Sequence, residues 1–194
     1  MVLILASASP RRLDLLRQIG ITPHEIVPPE VDETPLPVER PADFARRMAV
    51  EKCRNVQDSY PASWVLAADT VVSVGRRILG KAADEGEAKA YLKLLSGRRH
   101  AVFGAIAVGT PEAAIRSRLI KTVVSFKKLH QSEIDTYLET GEWRDKAGAY
   151  AIQGSAAVFV RQLNGSYTNV VGLSLFETWN MLSGMGWRPG VSGG

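Results

Sequence analysis

Cysteine is almost absent from this chain of 194 residues: Cys53 is the single one, so no disulfide can form within it. Such usage is typical of a reducing compartment, and we predict a cytoplasmic protein. Long apolar runs are lacking too. The apolar start, Met1 to Ala6, carries no basic residue and is far shorter than the roughly 20 residues that span a membrane. We interpret it as a buried strand and expect no membrane partner.

Several motifs that would indicate a particular chemistry are missing. The sequence has neither a GxxxxGK[ST] phosphate loop nor a GxGxxG fingerprint, and no Cys/His cluster has zinc spacing. The histidines are scattered, and the net charge of +4 is spread without a basic run. A nucleic-acid-binding protein needs a continuous basic face with aromatic platforms, so we rank that alternative low and expect no nucleic-acid partner.

Composition and element order predict an α/β protein. With 45% hydrophobic and 23% charged residues, the chain has the composition of an ordinary globular protein. Strand and helix patterns interleave, yet two hairpins occur among them. We therefore expect a mixed β-sheet flanked by helices, with two lobes around a cleft. We predict one domain over residues 1–185 and a C-terminal tail over residues 186–194.

The predicted elements follow from apolar periodicity and from turn and cap residues. Strands are expected at residues 2–6, 64–74, 100–108, 118–129, 156–163 and 167–171, the last two joined by the turn Asn164-Gly165. Helices are expected at about residues 10–19, 42–56 and 84–95, from a capping box at Ser132 and Asp135 to Gly141, and along a last face with Leu175, Trp179 and Leu182. Prolines indicate an extended loop over residues 27–41.

The first candidate site is the transition from the first strand to the first helix. Two hydroxyls, Ser7 and Ser9, precede a helix that begins with Pro10, and free N–H groups at such a helix start attract anions. Arg11 and Arg12 lie in the first turn, where a cation opposes the helix dipole unless an anion binds there. The alternative is that Ser9 only caps the helix and both arginines are solvated.

A lysine and an aspartate stand in apolar surroundings. Lys52 falls near the middle of the apolar stripe of its helix, and Asp69 interrupts an apolar strand. Burying either charge is costly unless it is paired or functional, so we predict that both point into a cleft. The alternatives are a lysine that extends from the core edge to solvent, and an aspartate that backbone N–H groups or a lysine satisfy.

Two further segments are weaker candidates. Lys81 follows a glycine just before a helix and supplies a point charge for phosphate, although a surface lysine is the commoner explanation. Small residues in Asp145 to Gly154 would let the backbone approach a ligand, and Gln153 could read a base edge; the alternative is a tight loop. The acidic loop residues are candidates to hold Mg²⁺ with Asp69, or form a solvated turn: Glu30, Asp32 and Glu33.

Together these residues resemble the Maf family, also described as septum-formation-inhibitor-like proteins, from Leu3 to about Leu182. The matching motifs are SxSPRR at residues 7–12, ADT at Asp69, LGK at Lys81, SGxxH at 96–100, DKAGAYxIQG at 145–154 and GSYxxVVGL at 165–173. The resemblance implies a house-cleaning nucleoside triphosphate pyrophosphatase with a fold similar to that of inosine triphosphatases. It also implies a divalent cation, Mg²⁺ first and Mn²⁺ as the alternative, and a homodimer as a frequent assembly.

The resemblance implies roles position by position. Asp69 matches the general base, and Glu33 matches an acidic residue linked with Asp69 to the metal site. Phosphate-binding positions match Arg12, Lys52 and Lys81, to which the helix-start argument adds Ser7 and Ser9. The positions that separate the dTTP/UTP branch from the 7-methyl-GTP branch match Arg11, Thr70 and Gln153, and the form with Gln153 is typical of dTTP/UTP enzymes.

The chain departs from the family pattern at three positions. Ala82 and Ser174 stand where proline is usual, which affects local turns, and Gly104 replaces a common threonine, which we expect to alter a wall of the site. Two other functions stay open: a 7-methyl-GTP pyrophosphatase, and a non-catalytic nucleotide-binding regulator of cell division. The second would need no base, so Asp69 distinguishes it from an enzyme.

Overall fold

A computed structural model describes residues 1–189, and within them a mixed sheet of seven strands is flanked by helices. The strands are β1 (Leu3–Ala6), β2 (Glu25–Ile26), β3 (Trp64–Val74), β4 (Arg77–Leu79), β5 (Arg99–Gly109), β6 (Ile115–Phe126) and β7 (Val160–Asn164). The helices are α1 (Pro10–Gln18), α2 (Pro41–Ser59), α3 (Glu85–Leu95), α4 (Gln131–Glu139), α5 (Tyr167–Val171) and α6 (Leu175–Gly184), with a 3-10 helix at Ser155–Phe159.

The sheet order is β2-β1-β3-β5-β6-β7, with β4 added to the end of β3. β1 runs parallel to β2 and β3, whereas β3, β5, β6 and β7 pair antiparallel in turn. Ala6 at the end of β1 lies beside Ala67 of β3. Because the two strands run in the same direction, Ser7 leaves β1 next to the part of β3 that carries Asp69 and Thr70.

Three apolar clusters cover the sheet, and the predicted mixed α/β fold is confirmed. The stripe of α2 lies against β3 and β5, as its spacing predicted, with Met48, Ala49 and Cys53 fully buried. A second cluster includes Leu16 of α1 and Leu182 of α6. A third surrounds α3 and α4.

The predicted second hairpin is wrong in its outer arm, because residues 167–171 form helix α5. The β-branched residues of this segment favour a strand, but two local contacts outweigh them. Ser166 caps the helix, its Oγ accepting from Asn169 N at 3.2 Å. The buried Asn169 side chain donates to Val102 O and to Thr122 Oγ1, which fixes α5 against β5 and β6. The inner arm is also shorter than predicted, since residues 155–159 form the 3-10 helix.

The capping box of α4 lies two residues before the predicted one. The helix begins after His130, whose backbone N–H donates to Glu133 Oε2 at 2.9 Å. Gly141 ends it with a φ of +70°, as predicted. The short strands β2 and β4 were not predicted, since two or three residues are too few to show a period.

The last helix buries Leu182 as predicted but leaves Trp179 partly exposed. The tail predicted from residue 186 begins with a packed side chain, since Trp187 is buried in the cluster around α1 and α6. Its final part, residues 190–194, lies outside the described residues. Over residues 1–189, no helix combines the length and apolar character that crossing a membrane requires.

Candidate active site

A cleft of about 800 Å³ brings together the residues that the sequence nominated for catalysis, phosphate binding and base selection, together with Glu33. One wall comes from the end of β1 and the start of α1, the floor from β3 and α2, and the opposite wall from the loop after β4 and the segment 145–153. The predicted site residues that line it are Ser7, Ser9, Arg11, Arg12, Glu33, Lys52, Asp69, Thr70, Lys81 and Gln153.

The floor of the cleft carries a buried ion pair. Lys52 Nζ lies 2.7 Å from Asp69 Oδ1 and 2.8 Å from Glu33 Oε1. Lys52 and Asp69 are only 6% and 7% exposed, whereas the Glu33 side chain is 55% exposed at the cleft rim. Lys52 therefore points into the cleft, as predicted, instead of extending from the core edge to solvent. Within residues 1–189, Asp69 Oδ2 accepts no hydrogen bond, so this oxygen is available to a ligand.

Arg12 connects three parts of the site. Its Nε donates to Gly172 O at 3.0 Å, its Nη1 to Ser7 Oγ at 3.1 Å and its Nη2 to Thr70 Oγ1 at 3.5 Å. Burial lowers the pKa of Arg12, while the charge of Asp69 opposes that shift. A guanidinium titrates so far above neutrality that Arg12 remains a fixed cation. Gly172 was not predicted, because a backbone carbonyl leaves no signal in the side-chain pattern.

The start of α1 leaves its first turn open to the cleft. Ser9 occupies the N-cap position, but its hydroxyl makes no capping hydrogen bond. Instead, the Ser9 backbone N–H donates to Ser7 Oγ at 3.1 Å. An uncapped helix start with two adjacent arginines provides backbone N–H groups and positive charge for an anion.

The opposite wall depends on close backbone contacts. Ala147 forms a β-bridge with Lys81, and Gly148 N donates to both Leu79 O and Gly80 O at 3.0 Å. Gly148 has a φ of +71°, and a Cβ there would lie 2.8 Å from Val72 Cγ1. The small size of Gly148 thus serves close packing on β3, which differs from the predicted approach to a ligand.

Segment 145–153 adds a cation that the sequence argument did not single out. Lys146 lines the cleft beside Arg11, which donates to Asp145 O at 3.4 Å. Burial, and then the charge of Arg11, lowers the pKa of Lys146. Asp145 and Ala149 both have a φ of +56°, so this wall holds two non-glycine residues in the left-handed region. Such strain is commonly found where a fold positions functional groups.

The three acidic candidates of the loop before α2 differ in position. Glu33 lines the cleft, whereas Asp32 and Glu30 are not among its lining residues. Asp32 Oδ1 accepts from Thr34 N, and the Glu30 backbone N–H donates to Asn55 Oδ1. Among the described residues, no three His, Cys, Asp or Glu side chains converge on one point. The carboxylates of Glu33 and Asp69 nevertheless approach the same ammonium group. Two carboxylates are the oxygen donors that Mg²⁺ commonly takes from a protein, with phosphates completing its shell.

Two residues noted in the sequence have structural roles. His100 is buried, with Nε2 2.8 Å from Tyr150 Oη and its ring against Phe126. Gly104 does not shape the cleft wall, contrary to expectation. A Cβ at Gly104 would lie 1.7 Å from Asn169 Oδ1, so the missing side chain makes room for Asn169 of α5.

Two curated relatives match nearly the whole chain. A protein from Paramagnetospirillum magneticum is 56% identical over 97% of this chain and 99% of its own length. One from Rhodospirillum rubrum is 56% identical over 98% of this chain and 91% of its own. Both are named dTTP/UTP pyrophosphatase.

Solved structures agree on the fold. A HAM1 protein from Coxiella burnetii has a TM-score of 0.53 at 16% identity, covering 95% of this chain and 100% of its own. The family described as Maf-like protein matches residues 2–185. This match, together with the two full-length relatives, establishes that the chain belongs to the Maf-like protein family.

Proposed function

We propose that this protein hydrolyses dTTP and UTP between the α- and β-phosphates, releasing the nucleoside monophosphate and pyrophosphate. The observation that carries the proposal is the buried Lys52–Asp69 pair on the floor of a cleft whose walls are cationic. The names of the relatives support the reaction and the substrates.

The walls supply charge for a triphosphate from two sides. Ser7, Ser9 and Arg12 belong to the α1 side, and Lys81 and Lys146 belong to the opposite wall. Positive groups fixed in advance stabilise charge that develops on the phosphates in the transition state, because they need not reorganise during the reaction. Lys52 lies at the floor, where it would bind the departing pyrophosphate.

Asp69 would activate the attacking water, a role that its burial in the cleft and its pairing with Lys52 support. Its Oδ2 would accept a proton from a water molecule as that water attacks the α-phosphorus. The bond from the α-phosphorus to the bridging oxygen then breaks, and pyrophosphate leaves with the electron pair. Lys52, hydrogen-bonded to the other carboxylate oxygen, keeps Asp69 oriented.

Glu33 and Asp69 would hold the divalent cation, for which we propose Mg²⁺, with Mn²⁺ as the alternative. The bound cation would offset negative charge on the phosphates. Lys52 lies between these carboxylates and keeps them close together before a cation binds.

Arg11, Thr70 and Gln153 would determine the preference for pyrimidine nucleotides. Gln153 is an exposed residue that lines the cleft, and its amide carries both a donor and an acceptor. A site built to hydrogen-bond one base edge rejects other bases, because its polar groups are left unpaired.

The test measures pyrophosphate release with Mg²⁺ from dTTP, UTP, CTP, GTP, 7-methyl-GTP and ATP, beside Asp69→Asn. We expect preference for dTTP and UTP and loss of turnover in the variant. Preference for 7-methyl-GTP would keep the enzyme and overturn the specificity. Tight nucleotide binding without turnover would instead support the non-catalytic regulator.

We further propose a homodimer located in the cytoplasm. Phe176 and Trp179, three residues apart on α6, are 72% and 44% exposed, and a second copy would cover such an apolar face. Light scattering should give twice the chain mass, and Trp179→Glu should reduce it; one chain mass for the unmodified protein would exclude the dimer. The cytoplasmic location rests on the lone cysteine and on a nucleoside triphosphate as substrate.

A further inference from the structure

Glu142 joins the two ends of the segment that forms the Gln153 side of the cleft. Its Oε2 accepts from the Ser155 backbone N–H at 2.8 Å, and its Oε1 accepts from Ser155 Oγ, also at 2.8 Å. Both carboxylate oxygens are thus used on one residue, two positions after Gln153. We name this pair of hydrogen bonds the Glu142–Ser155 contact.

Gly154 makes room for the contact. A Cβ built at Gly154 would lie 2.2 Å from Glu142 Oε2, far below any normal separation. A Cβ at position 154 would therefore displace the Glu142 carboxylate, so the glycine of the IQG motif leaves room for the Glu142–Ser155 contact.

The chain before Gln153 is fixed independently. The Ala151 backbone N–H donates to Tyr137 Oη at 3.0 Å, and Gly154 N donates back to Ala151 O at 3.0 Å. Gln153 therefore lies on a short bend between two fixed points, Ala151 on one side and Ser155 on the other. Among the described residues, none makes a hydrogen bond to the Gln153 side chain, so the position of that side chain depends on the backbone of this bend.

We propose that Glu142 is a positioning residue for base selection, holding Gln153 where it meets the base edge. The inference rests on the proposed function. A polar group discriminates between bases only when its position is fixed, because a mobile amide adjusts to the wrong base at little cost. A carboxylate suits this task, since hydrogen bonds to a charged acceptor are stronger than neutral ones.

The test compares kcat/KM for UTP and CTP, which share a sugar and differ at the base edge. Glu142→Ala should reduce the UTP preference about fivefold, the size expected when a hydrogen-bonded contact is removed. The loss should appear in KM, with kcat for UTP changed less than about twofold, because Asp69 and Lys52 lie on other elements. Glu139→Gln removes an exposed carboxylate three residues earlier and should change neither constant.

Gly154→Ala and Ser155→Ala change the residues that face the Glu142 carboxylate. Gly154→Ala should displace the Glu142 carboxylate and so reproduce the effect of Glu142→Ala. Ser155→Ala keeps the bond to the backbone N–H and should give a smaller loss. In a Gln153→Ala background, Glu142→Ala should lower the UTP preference no further, because the two residues act as one unit.

The outcomes separate the inference from the proposed function. A lower melting temperature for Glu142→Ala, with unchanged KM and unchanged UTP preference, would assign the contact to stability alone and overturn the inference. Additive effects of Glu142→Ala and Gln153→Ala would overturn it too. If the unmodified protein releases no pyrophosphate, or does not prefer UTP, the proposed function itself fails and the inference fails with it.

Discussion

Asp69 is buried, has a lysine partner and lies in the cleft. It is the one charged residue of β3, and its charge is balanced by Lys52. We expect Asp69→Asn to lower kcat by about a thousandfold, within the range of general-base removal, while the amide oxygen still accepts from Lys52. Steady-state kinetics would measure the loss of kcat, and circular dichroism would check that the fold is kept. Near-normal turnover would exclude Asp69 as the base.

Lys52 should matter for stability as well as for binding. Removing one partner of a buried ion pair leaves the other charge without compensation, so Lys52→Met should lower the free energy of unfolding by about 3 kcal/mol without added metal. Urea denaturation in EDTA would measure it. Lys89→Met is the matched control, since Lys89 pairs with Asp135 on the surface and should cost less than about 1 kcal/mol. Equal costs would contradict the argument.

The sequence predicted single residues of the site better than their contacts. Except for Glu30 and Asp32, the nominated side chains line the cleft, because charges in apolar surroundings and hydroxyls before a helix are visible as anomalies. Lys146 stood in a noted segment without being singled out. The Gly172 carbonyl is a backbone atom, and the Glu142–Ser155 contact joins two residues that are 13 positions apart. Neither produces a periodic or compositional signal.

Helix α5 shows how an element can contradict its own propensity. Tyr, Thr and two Val residues favour a strand, but Asn169 needs a helix to reach the carbonyl of Val102 and the hydroxyl of Thr122. The longer elements β3, β5 and α2 were predicted within a few residues, because eleven or more residues show a clear period. Short elements that tertiary contacts determine were the ones missed.

The position of α5 provides a test of the Gly104 contact. A Cβ at Gly104 would collide with Asn169, and α5 leads directly to Gly172, which accepts from Arg12. We expect Gly104→Ala to lower stability by about 1–3 kcal/mol and to reduce kcat/KM. Gly184→Ala, in a helix with no atom near the new methyl group, should be neutral or slightly stabilising. Thermal denaturation and kinetics of both variants would decide, and unaffected kinetics in Gly104→Ala would separate α5 from the site.

His100 should make the free energy of unfolding of the protein depend on pH in acid. Burial lowers the pKa of His100 to about 4, whereas an unfolded histidine titrates near 6.5. Between pH 6.5 and pH 4, His100 is protonated in the unfolded chain but not in the folded protein. The free energy of unfolding therefore decreases as the pH falls through this range. At pH 5 the folded protein should have lost roughly 2 kcal/mol relative to pH 7 through this group.

His100→Phe provides the comparison, because a phenyl ring fills a similar space between Phe126 and Tyr150 without titrating. Urea denaturation at pH 7 and pH 5 should show a smaller acid loss in the variant than in the unmodified protein. The same loss in both proteins would mean that His100 does not remain neutral in the fold.

The bond from Arg12 to Gly172 joins residues at opposite ends of the sequence. During synthesis, Arg12 leaves the ribosome 160 residues before Gly172. Until Gly172 emerges, the Arg12 guanidinium lacks one of its three acceptors and the cleft lacks part of its wall. A nascent chain can therefore fold much of its sheet without a complete site, and nucleotide hydrolysis should begin only after residue 172 has emerged.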